Sequence, residues 1–153
     1  MRKILQKGIG SFIALCFVMS CSASPDAYDS GGHPIRLADY AGKWIVVNYW
    51  AAWCQPCMQE LPELNALYQQ HKNHLVVLGV NFDHLDRDTL QQIASQLILT
   101  FTILNDFPIE RWGVNEIDTI PVTFLLSPKS KLVKTLHGPQ TQKSVLQAMD
   151  DVA

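Results

Sequence analysis

Two thiols stand three residues apart in Trp53-Cys54-Gln55-Pro56-Cys57. That spacing suits two-electron dithiol–disulfide chemistry, which needs one sulfur to attack a partner and a second within reach to release it. If a helix begins here, Cys54 sits at its N-terminus, where unpaired N–H groups and the positive dipole end favour a thiolate. Cys57 then lies one turn along on the same face, and Pro56 fits the first turn, where a missing N–H costs little. A pair this close closes too short a loop to constrain an unfolded chain, so it is no structural staple. A zinc site would need two more ligands. His33, His71, His74, His84 and His137 are scattered, without the His spacing of such sites, and the pair has no second Cys-x-x-Cys beside it.

The elements that must position this pair are readable from hydrophobic patterning. Trp44 to Trp50 is a β-branched and aromatic run with almost no polar break, as expected of a strand covered on both faces. A helix is expected from about Cys54 to His71, with Met58, Leu61, Leu64, Leu67 and Tyr68 on one side and a kink at Pro62. Leu75–Phe82 reads as a second strand, and Leu90, Ile93, Ala94 and Leu97 mark an amphipathic helix. A short strand at Phe101–Leu104 and a short helix at Pro108–Trp112 follow. Pro121–Leu126 and Leu132–Leu136 flank a Ser-Pro-Lys-Ser turn as a hairpin, and Val145, Leu146 and Met149 lie on a closing helix. The order β-α-β-α-β-α-β-β-α predicts an α/β fold: a mixed central sheet flanked by helices on both faces.

The N-terminus reads differently. The chain has 153 residues, 12 basic against 14 acidic, with 48% hydrophobic and 17% charged residues, a composition of a globular domain. No basic excess exists to neutralise phosphates, which argues against nucleic acid as a partner. Arg2, Lys3 and Lys7 are the only charges in the first twenty residues, so the remainder carries 9 basic and 14 acidic groups, a net of −5. A basic start, an apolar stretch from Ile9 to Met19 too short to span a bilayer, and small residues after it describe an export signal. Val18-Met19-Ser20-Cys21 resembles the lipobox of bacterial lipoproteins, in which the Cys is the lipidated first residue of the mature chain. Residues 1–20 are accordingly expected to be a lipoprotein signal peptide, 21–33 a lipidated Cys21 and flexible tether, and 34–153 the folded domain.

The segment Val46-Val47-Asn48-Tyr49-Trp50-Ala51-Ala52-Trp53-Cys54-Gln55-Pro56-Cys57-Met58-Gln59-Glu60-Leu61-Pro62 closely resembles the active-site segment of TlpA/ResA-like thiol–disulfide oxidoreductases, within the thioredoxin superfamily. Gly113-Val114, Ile120-Pro121-Val122-Thr123-Phe124 and Gly138 are similar to the family's other signatures, and the resemblance covers roughly residues 35–153. It implies a thioredoxin-like fold with a cis peptide bond before Pro121. It also implies Cys54 as nucleophile, Cys57 as resolving thiol and Glu60 as a proton acceptor and donor for Cys57. Trp53, Ile120 and Pro121 would meet the substrate, with the Ile120 backbone pairing to a client peptide. Asn48 stands where ordinary thioredoxins carry a buried Asp, and it cannot titrate.

On this resemblance the dithiol is itself the redox centre, with no further cofactor and no metal. The partners would be protein thiols or disulfides and a membrane electron donor. The site would be the bacterial cell envelope, lipid-anchored and facing the periplasm, with Ser22 after the Cys favouring the outer membrane. Uncharged Gln55-Pro56 and Ile120 before the proline favour reduction of clients over oxidation. A role in cytochrome c maturation also belongs to the family, although members of that type carry Glu where this chain has Val122. The alternative is a copper-handling, Sco-like metallochaperone on the same fold, whose cysteines are one residue further apart.

Overall fold

Strands β3 (Trp44–Trp50) and β4 (Leu75–Asn81) are buried along almost their whole length, which is why their sequences run apolar without alternating. The computed structural model describes residues 24–152. The two strands lie parallel at the centre of a five-stranded sheet ordered β5-β4-β3-β6-β7, where β5 is Thr102–Leu104, β6 Val122–Leu126 and β7 Leu132–His137. β5 runs parallel to β4, while β6 is antiparallel to β3 and β7 antiparallel to β6. The expected mixed α/β sheet is the one found. Gly79 of β4 lets its neighbours close in: a Cβ there would fall 2.7 Å from the Phe101 ring and 3.2 Å from the Trp50 indole nitrogen.

The two faces of the sheet are covered by different kinds of helix. Val46, Trp50, Val77 and Leu125 face a core filled by α1 (Gln55–His71), α2 (Arg87–Gln96) and α3 (Gln142–Asp150), through Leu61, Leu64, Leu67, Leu90, Val145 and Met149. On the other face, Ile45, Val47, Leu78 and Phe124 meet two 3₁₀ turns, Leu37–Tyr40 and Ile109–Trp112, together with the start of the described chain. α1 continues through Pro62 as a single element. Asp86 caps α2 by accepting from the Thr89 amide, and Thr141 and Ser144 form a capping box on α3.

One expectation is corrected. A flexible tether through residue 33 does not describe this chain, because the part after Pro25 is folded onto the domain. β1 (Ala27–Tyr28) and β2 (Pro34–Ile35) form a small antiparallel hairpin. The Ser30 amide donates to the Ile103 carbonyl at 2.8 Å, and Asp29 bridges to Leu104, so the hairpin docks on edge strand β5. Asp26 fixes its base, accepting from the Leu37 amide at 2.7 Å and pairing with Arg111 at 2.6 Å. Ala27, Ile35 and Leu37 are buried. Strands of two residues show no periodicity, and Ser, Asp and Gly in this stretch serve a tight turn rather than a loose linker. The signal segment and Cys21 lie outside the described residues.

Candidate active site

β3 ends at Trp50, and the chain turns through Ala51–Trp53 into α1. Cys54 is the N-cap of that helix, as its position after an apolar strand led one to expect. Its Sγ accepts from the Cys57 amide at 3.2 Å, so the sulfur satisfies one of the orphan donors of the first turn. The two sulfurs are joined as a disulfide, with the Cα atoms 5.2 Å apart. Cys57 is fully buried, and Cys54 keeps 4% of its surface. In this disulfide form both cysteines belong to the same apolar cluster as Trp50 and Ala51.

Glu60 departs furthest from an ordinary helix glutamate. It is 1% exposed, and both carboxylate oxygens are held. Asn48 Nδ2 donates to Oε1 at 2.8 Å, and the Gln140 amide donates to Oε2 at 2.9 Å. Burial pushes its pKa up to about 7, against the downward pull of those two donors. The same Asn48 amide group donates to Thr123 Oγ1 at 2.9 Å, while Asn48 Oδ1 is buried without a protein partner. A carboxyl poised near neutrality, three residues beyond Cys57 on one helix, is suited to exchanging a proton at working pH.

The rest of the site comes from both sides of the sheet end. The Ile120–Pro121 bond is cis, as expected, and Pro121 immediately precedes β6. The pairing of Tyr49 with Val122 places it at the end of β3 that leads to Cys54. The Gly138 amide donates to the Pro121 carbonyl at 2.9 Å, and Gly138 has φ +78°, a conformation open to glycine. Residues 138–140 thereby join Pro121 to Glu60. Ile120 is half-buried and touches the cores on both faces. Trp53 stands 66% exposed, its indole N–H donating to both Asp83 oxygens at 3.0 and 3.1 Å and its ring packed edge-on to Phe82 at 6.3 Å.

Cys54, Cys57, Glu60, Trp53, Ile120 and Pro121 thus gather at one end of the sheet. Sequence reasoning singled out Asn48 but not its partner Thr123, nor Asp83 and Gln140, which complete the site. Asn48 and Thr123 are polar residues inside apolar strands, a visible signal that each needs a buried partner. Asp83, which holds Trp53, and Gln140, which acts through its backbone amide, carry no such signal. Among the described residues, no group of three or more His, Cys, Asp and Glu is arranged to hold a metal ion.

Comparison with known proteins agrees with this geometry. The model of the AhpC/TSA family matches residues 19–135. The thiol-disulfide oxidoreductase ResA of Geobacillus kaustophilus is 30% identical over 134 residues, 86% of this chain and 76% of its own. The crystal structure of StoA from Bacillus subtilis superposes with a TM-score of 0.66 at 27% identity, covering 80% of this chain and 93% of that one. The exposed lipoprotein thioredoxin of Streptococcus pneumoniae superposes with a TM-score of 0.69 at 25% identity, covering 84% and 99%. A disulfide capping a helix at the end of a thioredoxin-like sheet and a family match over most of the length lead to one assignment: the chain belongs to the AhpC/TSA family and is a thiol–disulfide oxidoreductase.

Proposed function

We propose that the protein is an extracytoplasmic, lipid-anchored reductase of protein disulfides. The observation that carries the chemistry is the Cys54–Cys57 disulfide at the N-terminus of α1, with a buried Glu60 of raised pKa on the same helix. In the reduced protein, the Cys54 thiolate attacks a client disulfide, forms a mixed disulfide and expels one client thiolate. Cys57 gives its proton to the Glu60 carboxylate and attacks Cys54 Sγ, which closes the Cys54–Cys57 bond and expels the second client sulfur. The two expelled thiolates take up protons; two electrons pass from protein to client. Trp53, Ile120 and Pro121 bound the opening through which the client reaches Cys54, and the Ile120 backbone offers it a strand-like partner.

Support for the reducing direction is the uncharged Gln55-Pro56 pair and Ile120 before the proline. Support for the anchor is the Cys21 motif and the structural likeness to an exposed lipoprotein thioredoxin. No helix among the described residues is long and apolar enough to cross a membrane. Cytochrome c maturation is one process that consumes such reducing equivalents; Val122 after the proline counts against it.

Two measurements test the reading. Equilibration against glutathione and dithiothreitol mixtures is expected to place the couple below the glutathione poise, about −220 to −260 mV; a potential well above it makes the protein an oxidant. The Cys57→Ser variant is expected to accumulate mixed disulfides with clients, since attack proceeds and resolution does not. Adducts on Cys54→Ser with none on Cys57→Ser would reverse the two roles, and stoichiometric copper binding by the reduced pair would favour a metal-handling protein.

A further inference from the structure

A cavity of about 400 Å3 opens between Phe82 and the segment from Asp106 to Ile117. Tyr49, Phe82 and Phe107 give it an apolar floor, and the carboxylates of Asp106, Glu110 and Glu116 stand around it. It meets the active site at both ends. Phe82 packs on Trp53, the residue before Cys54, and Ile117 leads three residues later into Ile120–Pro121. A second cavity of about 230 Å3 shares Glu116 and Ile117 and continues past Asp118.

The groove carries one sign of charge. No Lys or Arg lines either cavity. Between residues 73 and 128 the chain has seven acidic residues against Arg87 and Arg111, and Arg111 is engaged by Asp26. The cationic candidates in the linings are two histidines, His84 in the first cavity, whose Nδ1 lies 3.9 Å from Asp106, and His137 in the second. Lys43, Lys72, Lys129 and Lys131 sit at the other end of the sheet, before β3, before β4 and in the β6–β7 turn. These four lysines are therefore far from the groove, whose own carboxylates lie toward the disulfide end of the sheet, while Lys143 at the start of α3 lines neither cavity. The buried Tyr49 hydroxyl feels the carboxylates: desolvation raises its pKa first, and Asp106 and Glu110 raise it further.

We infer that this groove receives the stretch of client polypeptide flanking the reactive cysteine, and that it selects clients carrying Lys or Arg beside an apolar side chain there. The inference rests on the proposed exchange of Cys54–Cys57 with protein disulfides and adds a substrate class to it. An apolar floor buries an aliphatic stem while the carboxylates hold the charged head, which suits long cationic side chains. The acidic groove also draws cationic clients in during encounter.

The test uses the reduced protein and two peptides with one internal disulfide each, identical except for Lys or Glu at the flanking positions. Oxidation of the protein is followed by stopped-flow tryptophan fluorescence. Each rate is divided by that of the same peptide with dithiothreitol, so intrinsic reactivity cancels. At low salt the Lys peptide is expected to react about tenfold faster. That ratio should collapse at high salt, and in the double variant Glu110→Gln/Glu116→Gln. A ratio within about twofold in the parent, or one that persists undiminished in the double variant, overturns the proposal. Uncharged hydroxyethyl disulfide separates the two readings: a reduced protein that reacts with neither it nor the peptides overturns the exchange reading, and the inference with it.

Discussion

Glu60 is held by donors on both oxygens, yet burial outweighs them and keeps its pKa near 7. The sign of the pH dependence follows. A carboxyl whose folded pKa lies above its unfolded value of 4.5 stabilises the fold below that value, and this contribution is lost as pH rises through about 7. Between about pH 5 and pH 8, the parent is expected to lose stability relative to Glu60→Gln, by on the order of 3 kcal/mol at most. Denaturant melts of both proteins across pH measure it, and parallel curves would deny the linkage. The variant should fold, because Asn48 can rotate its amide and offer Oδ1, now without a partner, to the new Gln amide. Stopped-flow alkylation of the reduced pair should show an inflection near neutrality in the parent that the variant lacks. Cys54 and Cys57 were legible because their chemistry lies in type and spacing alone. The burial of Glu60 was not, because Thr123 lies 75 residues from Asn48, and Gln140 lies 80 from Glu60.

Long elements with strong patterns were legible nearly to the residue. β3 was expected at Trp44–Trp50 and found there, and α1 ends at His71 as expected. The parallel crossovers and the terminal hairpin follow from element order. The β1–β2 hairpin was not legible, since its stability is tertiary: a backbone bond to Ile103, two interactions at Asp26 and three buried side chains. Asp26→Ala removes the acceptor of the Leu37 amide and the partner of Arg111. It is expected to cost about 1–2 kcal/mol in denaturant melts, most of it from the partly buried amide bond rather than the exposed ion pair. The rate of exchange with uncharged hydroxyethyl disulfide should stay within about twofold of the parent, because the hairpin docks on β5, two strands away from β3. An unchanged midpoint would show that the hairpin adds nothing to the fold.

At the scale of the whole chain, the proposed anchor makes its own prediction. Cys21→Ala protein is expected in the soluble fraction after high-salt washing, while the parent stays with membranes until detergent is added. A variant that remains bound rules out lipid at Cys21 as the attachment. The docked hairpin then fixes how far such an anchor allows the enzyme to roam. Asp26, where the fold begins to grip the chain, lies only five residues beyond Cys21. Fully stretched, that span reaches about 17 Å, whereas a domain of this size is roughly 30–40 Å across. The leash is shorter than the body it holds. An enzyme so moored sweeps a thin layer rather than a volume, and its clients are those whose own cysteines pass within that layer of the lipid surface.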